Sequence, residues 1–351
     1  MNNVERAEQR NLTRRRFLAQ AGASAFALSL AEKGWSDTPQ PKIVLGEGSH
    51  KYECVHDWLI PPDGLLWGDT QGVAQDAQGH IYISHTVHPQ SKVGDAIVVF
   101  DKNGKFIKSW GERFRGGGHG LDIRKENGKE YLYHCDTAHR VVVKTDLNGA
   151  VLWEKGVPKE AGVYKPGDNF VPTNVALAPN GDFYISDGYG SGWITQYNEK
   201  GEYIRVFGGN GGAAPGKVNC PHGVRIDTRG KEPLLVVADR ENHRLQYFSL
   251  DGKPVRTTAG GMRRPCHFDI RGDLLLVPDL VSVVTILDKD NKVVTQLGDG
   301  ANVPDLRGHP RSEYIPGKFI HPHSAKFLHN GDILVVEWVE IGRVTLLKKL
   351  A

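Results

Sequence analysis

A short segment that opens a strand-like run recurs six times along this chain at roughly fifty-residue intervals, and every second copy opens on a histidine. The histidine copies are His119 in GHGLDI, His222 in PHGVRI and His323 in PHSAKF, with steps of 103 and 101 residues between them. The alternate copies carry Gln71 in TQGVAQ, Thr173 in PTNVAL and Cys266 in PCHFDI at the same point. A unit of this length buries its apolar face only against its neighbours, so a set of six points to a closed ring.

Each copy continues with an alternating apolar run, a turn and a second apolar run ending in an acid. Examples are VALAPNGDFYISDG (175–188), VRIDTRGKEPLLVVADR (224–240) and AKFLHNGDILVVEW (325–338). Alternation punctuated by Asn-Gly or Arg-Gly reads as antiparallel strands joined by hairpins. A third strand follows, as in WITQYNEKG and RLQYFSLDG, and a fourth after the next glycine, as in GEYIRVFGG and GKPVRTTAGG. Four strands per copy around an axis define an all-β chain, a six-bladed β-propeller, which protects its sheet edges by radial repetition. The last copy stops after three strands at RVTLLKKLA (343–351), whereas KYECVHDW (51–58) looks like an outer strand without its preceding three. The expected propeller therefore covers 51–351, with the N-terminal strand closing the last blade.

Length alone suggests about two domains, but a ring of many small cores overrides that prior. The 42 glycines and 19 prolines suit a turn-rich β chain. A net charge of +3, spread along the sequence, gives no basis for nucleic-acid binding.

Residues 1–31 are of another kind. Thr13-Arg14-Arg15-Arg16-Phe17-Leu18 precedes the apolar run AQAGASAFALSLA, which ends at Glu32 and Lys33. This is the form of a twin-arginine export signal, with an apolar run too short to span a bilayer in the mature protein. The expectation is recognition by the twin-arginine export machinery, cleavage near Ala31, a flexible arm over 32–50 and a periplasmic destination. That route carries folded proteins, which suits a chain that takes up a metal first. Cys54, Cys135, Cys220 and Cys266 permit disulfides there. None lies in a tight pair, so free, buried thiols are expected.

The first strand of every propeller blade lines the central channel, so one repeat position becomes a ring of side chains around the axis. His119, His222 and His323 come from alternate blades and converge on one axial point. Three imidazoles with a fourth position open to water or substrate match the catalytic form of a zinc site. Zn2+ is the first expectation, and nickel, cobalt and iron are the other divalent ions that imidazole suits. Hydrogen bonding of each ring to backbone at the channel mouth is the structural alternative, and strict alternation favours the metal.

The repeats DGYGSGWITQYNEKGEYIRVFG (187–208) and ADRENHRLQYFSLDGK (238–253) resemble NHL repeats. The order HGLDI, PTNVAL with SDGYG, PHGVRI with VADREN, then HPHS is similar to that of the peptidyl-α-hydroxyglycine α-amidating lyases, over residues 65–345. The resemblance implies a small-molecule or peptide substrate whose C–N bond is cleaved to an amide and glyoxylate. It also implies zinc on the three histidines, Tyr189 as base with its phenol pKa depressed by zinc and Arg240, and Arg240 lining the site. An exposed-turn tyrosine and a salt-bridged arginine are the structural alternatives for these two.

The chain departs from that pattern at several points. His85-Thr86 stands where the family has an arginine after the histidine, and His321 replaces a methionine. Ser324 replaces an acid that helps bind a structural calcium, which argues against that ion. Gly190 follows Tyr189, so the paired cysteines are missing. His321, His267, His85 and Thr86 are the expected pocket residues, the first two beside the ring and His85 near the channel mouth of the first blade.

Asp136, Asp187, Asp239, Asp279 and Glu337 end the second strands. A residue present in nearly every copy serves the repeat, and turn capping accounts for these acids. The glycine-rich GGNGGAAPG (208–216) and RGGGHG (115–120) open no helix and read as inter-blade loops. Two other functions fit the same residues: a metal-dependent lactone or ester hydrolase, and a non-catalytic NHL module that binds a ligand or protein.

Overall fold

The computed structural model describes residues 42–350. The twin-arginine motif, the expected cleavage region and the arm up to residue 41 lie outside the described residues. Six antiparallel sheets follow one another along the chain, five of four strands and one of five. Their inner strands are Thr70–Gln75, Gly118–Glu126, Asn174–Leu177, Pro221–Asp227, Asp269–Arg271 and Pro322–Phe327, and they define blades 1 to 6 in that order.

Each blade is sandwiched between two others, so its second and third strands are buried on both faces and read as continuous apolar runs. Ile81–His85 and Ile97–Phe100 of blade 1 are buried at every position. The outermost strands, such as Val151–Lys155 and Pro254–Thr258, are mostly exposed. Val73, Ile81, Ile83 and Val98 of blade 1 pack on Leu334, Val336 and Val344 of blade 6. On its other face, Ala74, Tyr82 and Val99 meet Leu121, Leu132 and Val143 of blade 2. The four remaining interfaces each hold a buried cluster of their own. The ring is one domain because every core is shared between neighbouring blades.

Closure follows the expected route. Tyr52–Val55 adds to the outside of blade 6, pairing Tyr52 with Lys349 and Val55 with Leu346. The arm is not loose at its C-terminal end: Val44–Leu45 forms a fifth strand on Tyr52–Val55. Ile43 and Leu45 pack there with Tyr52 and Phe319.

The acids that end the second strands bind backbone N–H groups of the adjoining loops. Asp187 accepts from Val171 and Ser191 at 2.6 and 2.7 Å. Asp239 accepts from Asn219 at 2.7 Å, and Glu337 from Ile320 at 2.7 Å. In blade 1 this place belongs to His85, whose Nδ1 accepts from Gly68 and Val87 at 3.2 and 3.1 Å while Nε2–H donates to Asp95 at 3.0 Å. Burial lowers its pKa to about 3, with the bond to Asp95 opposing. The neutral imidazole, one acceptor and one donor, is the form these bonds need. His85 is thus a loop anchor in the place of an acid, not the pocket residue expected from the sequence.

Among the described residues, no helix is long and apolar enough to cross a membrane. Cys54, Cys135 and Cys266 are buried free thiols, and Cys220 is free and half-buried.

Candidate metal centre

The ring histidines stand at β-bulges. Strand pairing shifts between Gly118 and Leu121, between Pro221 and Val224, and between Pro322 and Ser324. A bulge sets two residues against one and re-aims a side chain, here turning each imidazole to the axis. Close approach of the neighbouring inner strand explains the glycine that follows His119 and His222, where blade 6 has Ser324 after His323. A Cβ on Gly120 would lie 2.2 Å from the Thr173 carbonyl, and one on Gly223 2.0 Å from that of Cys266.

The ring centroids of His119, His222 and His323 are 4.7 to 4.9 Å apart. A fourth imidazole joins them: His267 stands 4.9 Å from His222 and 4.8 Å from His323. One nitrogen of each ring lies within 4.8 Å of the other three. All four residues are at most 4% exposed. Burial lowers the pKa of His119 to about 3 and holds the other three well below the ordinary value. The rings are therefore neutral, the state in which imidazole binds metals.

Two of these rings are oriented by the copies that lack a histidine. His119 Nδ1–H donates to Thr173 and His323 Nδ1–H to Gln71, each at 2.8 Å, which leaves Nε2 as the free donor atom. His222 Nδ1, His267 Nε2 and His323 Nε2 are buried without a hydrogen-bond partner. Orphaned nitrogens in a buried site are costly, and a divalent cation would satisfy those that face the axis. A neutral, all-nitrogen donor set fits zinc and its late first-row neighbours rather than calcium or magnesium.

Tyr189 and Arg240 cover the upper side of this cluster. Tyr189 Oη lies 2.9 Å from Nε2 of His222 and 3.3 Å from Nε2 of His119. Arg240 Nη1 donates to the same oxygen at 3.3 Å and is braced by Glu241, 3.1 Å from its Nε. Tyr189 as a whole is 43% exposed, yet its hydroxyl is the inner end, and the exposed area belongs to the ring at the channel mouth. Burial of that hydroxyl pushes the pKa up to about 12, with Arg240 acting in the opposite direction. The protein's own groups thus leave the phenol above its ordinary range, and Arg240 alone does not produce the depression anticipated from the sequence. The turn that carries Tyr189 is pinned by Asp187, and a Cβ on Gly190 would lie 2.1 Å from Asp187 Oδ1. That crowding explains a glycine where the resemblance implied a cysteine.

The channel is closed below the histidines by charge. Arg225 bridges Asp122 at 3.2 Å and Asp269 at 2.9 Å, and Lys326 stands 3.4 Å from Asp269. The cavity remaining there measures about 20 Å³, room for about one water. A larger cavity of about 830 Å³, lined by Arg124, Glu126, Glu199 and Lys200, opens beyond this floor and away from the histidines.

The other residues singled out from the sequence lie elsewhere. His321 Nδ1–H donates to Leu280 at 2.7 Å, Nε2 meets Asp305 at 3.1 Å, and the ring lies 5.4 Å from Trp338. It belongs to the loop before blade 6, because the bulge between Pro322 and Ser324 breaks the alternation that would align it with His323. Thr86 Oγ1 accepts from Asp69 N at 2.9 Å and shapes the blade 1 loop. His267 was placed beside the ring in the sequence and stands in it. Its neighbour Cys266, at the repeat position, is a buried thiol that feels the charge of Arg240.

No protein-family model matches the chain. It is 27% identical to peptidyl-alpha-hydroxyglycine alpha-amidating lyase 1 of Drosophila melanogaster over 259 residues, 65% of this chain and 46% of that relative. To lyase 2 of the same fly it is 26% identical over 82% of this chain and 72% of the relative. To the peptidylglycine alpha-amidating monooxygenase of Rattus norvegicus it is 28% identical over 67% of this chain but only 25% of that protein. The chain thus spans less than half of the fly lyase 1 and of the rat protein. Among solved structures, a streptogramin B lyase aligns with a TM-score of 0.53 at 15% identity, covering 86% of this chain and 99% of that one. Virginiamycin B lyase of Staphylococcus aureus aligns at 0.54 and 12% identity, over 85% of this chain and all of that one. These likenesses show the fold. The chain is a six-bladed β-propeller that resembles the peptidyl-α-hydroxyglycine α-amidating lyases in sequence.

Proposed function

We propose that this protein is a metal-dependent lyase that cleaves the C–N bond of a peptidyl-α-hydroxyglycine, releasing a peptide amide and glyoxylate. One arrangement carries the reading: Tyr189 Oη stands against two imidazoles of a buried four-histidine cluster and against Arg240. The names of the curated relatives support it. His119, His222 and His323 would hold the cation, with zinc the first choice. Such an ion supplies positive charge that acidifies a substrate hydroxyl and stabilises developing negative charge.

Tyr189 is placed to take the proton of the α-hydroxyl. As electrons from that oxygen form the aldehyde carbonyl, the bond to the amide nitrogen breaks, and the nitrogen needs a proton that Tyr189 can return. Arg240 balances charge on the phenol oxygen throughout. The Asp122–Arg225–Asp269–Lys326 floor limits water from below and leaves the Tyr189 side for entry and exit. Export through the twin-arginine route to the periplasm is part of the proposal, on the strength of the motif at residues 13–18.

The test is glyoxylate release from α-hydroxyhippurate by metal-loaded protein, lost on chelation and in Tyr189→Phe. Turnover of simple lactones without glyoxylate release would replace this reading with hydrolysis. Bound metal with neither activity would replace it with ligand binding.

A further inference from the structure

We propose that His267 is itself a metal ligand, so that the resting centre holds its cation with four imidazoles rather than three and an open position. This rests on the metal reading of the site but not on the lyase chemistry.

His267 Nε2 is buried and has no hydrogen-bond partner. Its ring is as close to His222 and His323 as those two are to each other, 4.9 and 4.8 Å against 4.8 Å. Four nitrogens at 2.0–2.1 Å from one tetrahedral ion are about 3.3 Å apart. The set here lies within 4.8 Å, so binding would draw the nitrogens together by up to about 1.5 Å.

The backbone explains why this ring points inward. Cys266 N bonds the Pro278 carbonyl at 2.9 Å, and Pro265 pairs with Asp279, so the segment is fixed to the second strand of blade 5. Successive side chains on an extended segment take opposite sides. His267 faces the other three imidazoles, so the Cys266 side chain takes the opposite side of the segment. Blade 5 therefore supplies its ligand one residue later than blades 2, 4 and 6, from a segment without their bulge.

The fourth ligand changes how substrate is admitted. Tyr189 contacts the rings of His119 and His222, at 5.2 and 5.1 Å between centroids. His267 lies nearer His222 and His323 than His119, 4.9 and 4.8 Å against 5.7 Å. A substrate oxygen would thus join at the His119–His222 edge beside the phenol, raising the coordination number instead of filling a vacancy.

The experiment is X-ray absorption on zinc-loaded and cobalt-loaded full chain, wild type beside His267→Ala and His267→Gln, with metal affinity measured by competition against a chromophoric chelator. Four imidazoles per metal in wild type and three plus a light oxygen donor in the variants is the expected result. Affinity should fall about a hundredfold or more, beyond the 10–100-fold typical of residues that only support a ligand. The variants' unfolding, followed without metal, shows whether they fold. Three imidazoles in the wild type, with affinity unchanged by substitution, would overturn the proposal, as would wild type that holds no metal. Absence of glyoxylate release from a four-imidazole protein would sink the lyase reading alone.

Discussion

Arg240 meets Tyr189 in two ways at once: Nη1 lies 3.3 Å from the phenol oxygen, and the guanidinium carbon stands 5.1 Å from the ring centroid. One planar cation thus fixes both the angle of the ring and the charge beside its hydroxyl. Arg240→Lys keeps the charge but loses the fork and the stacking. The expected result is a fall in kcat of roughly 10²-fold with unchanged metal content, read from steady-state glyoxylate release beside elemental analysis.

Tyr189→Phe removes one oxygen and leaves the ring in place. Loss of a general acid–base group lowers kcat by about 10²–10⁴-fold. Metal content and melting temperature should stay at wild-type values, since Asp187 and not the phenol pins the turn. A variant with full turnover would remove Tyr189 from the chemistry.

Metal removal should be visible as stability as well as activity. A cation that binds only the folded ring adds about 4 kcal/mol when present at a thousand times its Kd. The chelated protein should therefore melt lower, zinc should restore the transition, and His222→Ala should show neither response. Differential scanning calorimetry with and without zinc provides the check.

Buried histidines outside the centre add to the acid sensitivity that the four centre histidines give the metal-free fold. His85 and His134 each have a pKa lowered to about 3, by burial first, against about 6.5 in an unfolded chain. Above pH 6.5 both states are neutral and nothing is lost. Below it the unfolded chain takes up protons that the folded one refuses, so each histidine removes about 1.4 kcal/mol of stability per pH unit down to pH 3. Urea midpoints of chelated protein should fall from pH 6.5 to 5, and His85→Gln should flatten that slope by one histidine's share.

The charged floor makes a separate prediction. Arg225→Met leaves Asp122 without its bridge and strips Asp269 of one of its two cations. Arg225 and Asp122 keep some access to water while Asp269 is buried and keeps Lys326, so the cost should be roughly 1–3 kcal/mol, below that of breaking a fully buried pair. Denaturant unfolding at neutral pH measures it, and metal binding should be unaffected.

The ring of blades and the three alternating histidines were legible because repetition is a signal that periodicity reads directly. The closing strand was legible from a strand short at one end and one too many at the other. His267 was not assigned to the centre because it follows the repeat position by one residue, and alternation alone did not say whether Cys266 or His267 turned inward. His85 looked like a pocket residue because its imidazole hides a role that five acids play openly in the other blades. His321 was misplaced by a bulge that the sequence does not announce. The phenol pKa of Tyr189 depends on a balance of burial and charge that no spacing encodes.

Tyr52 cannot find Lys349 until nearly the whole chain has been made, and the inner strand of that same blade supplies His323. Contacts of such separation form slowly, since a long loop must be closed before they are rewarded. Uptake of the proposed ion would consequently be tied to the final act of assembly. An unsealed circle would lack a complete socket, and the moment of metal capture would then become a clock for when the propeller shuts.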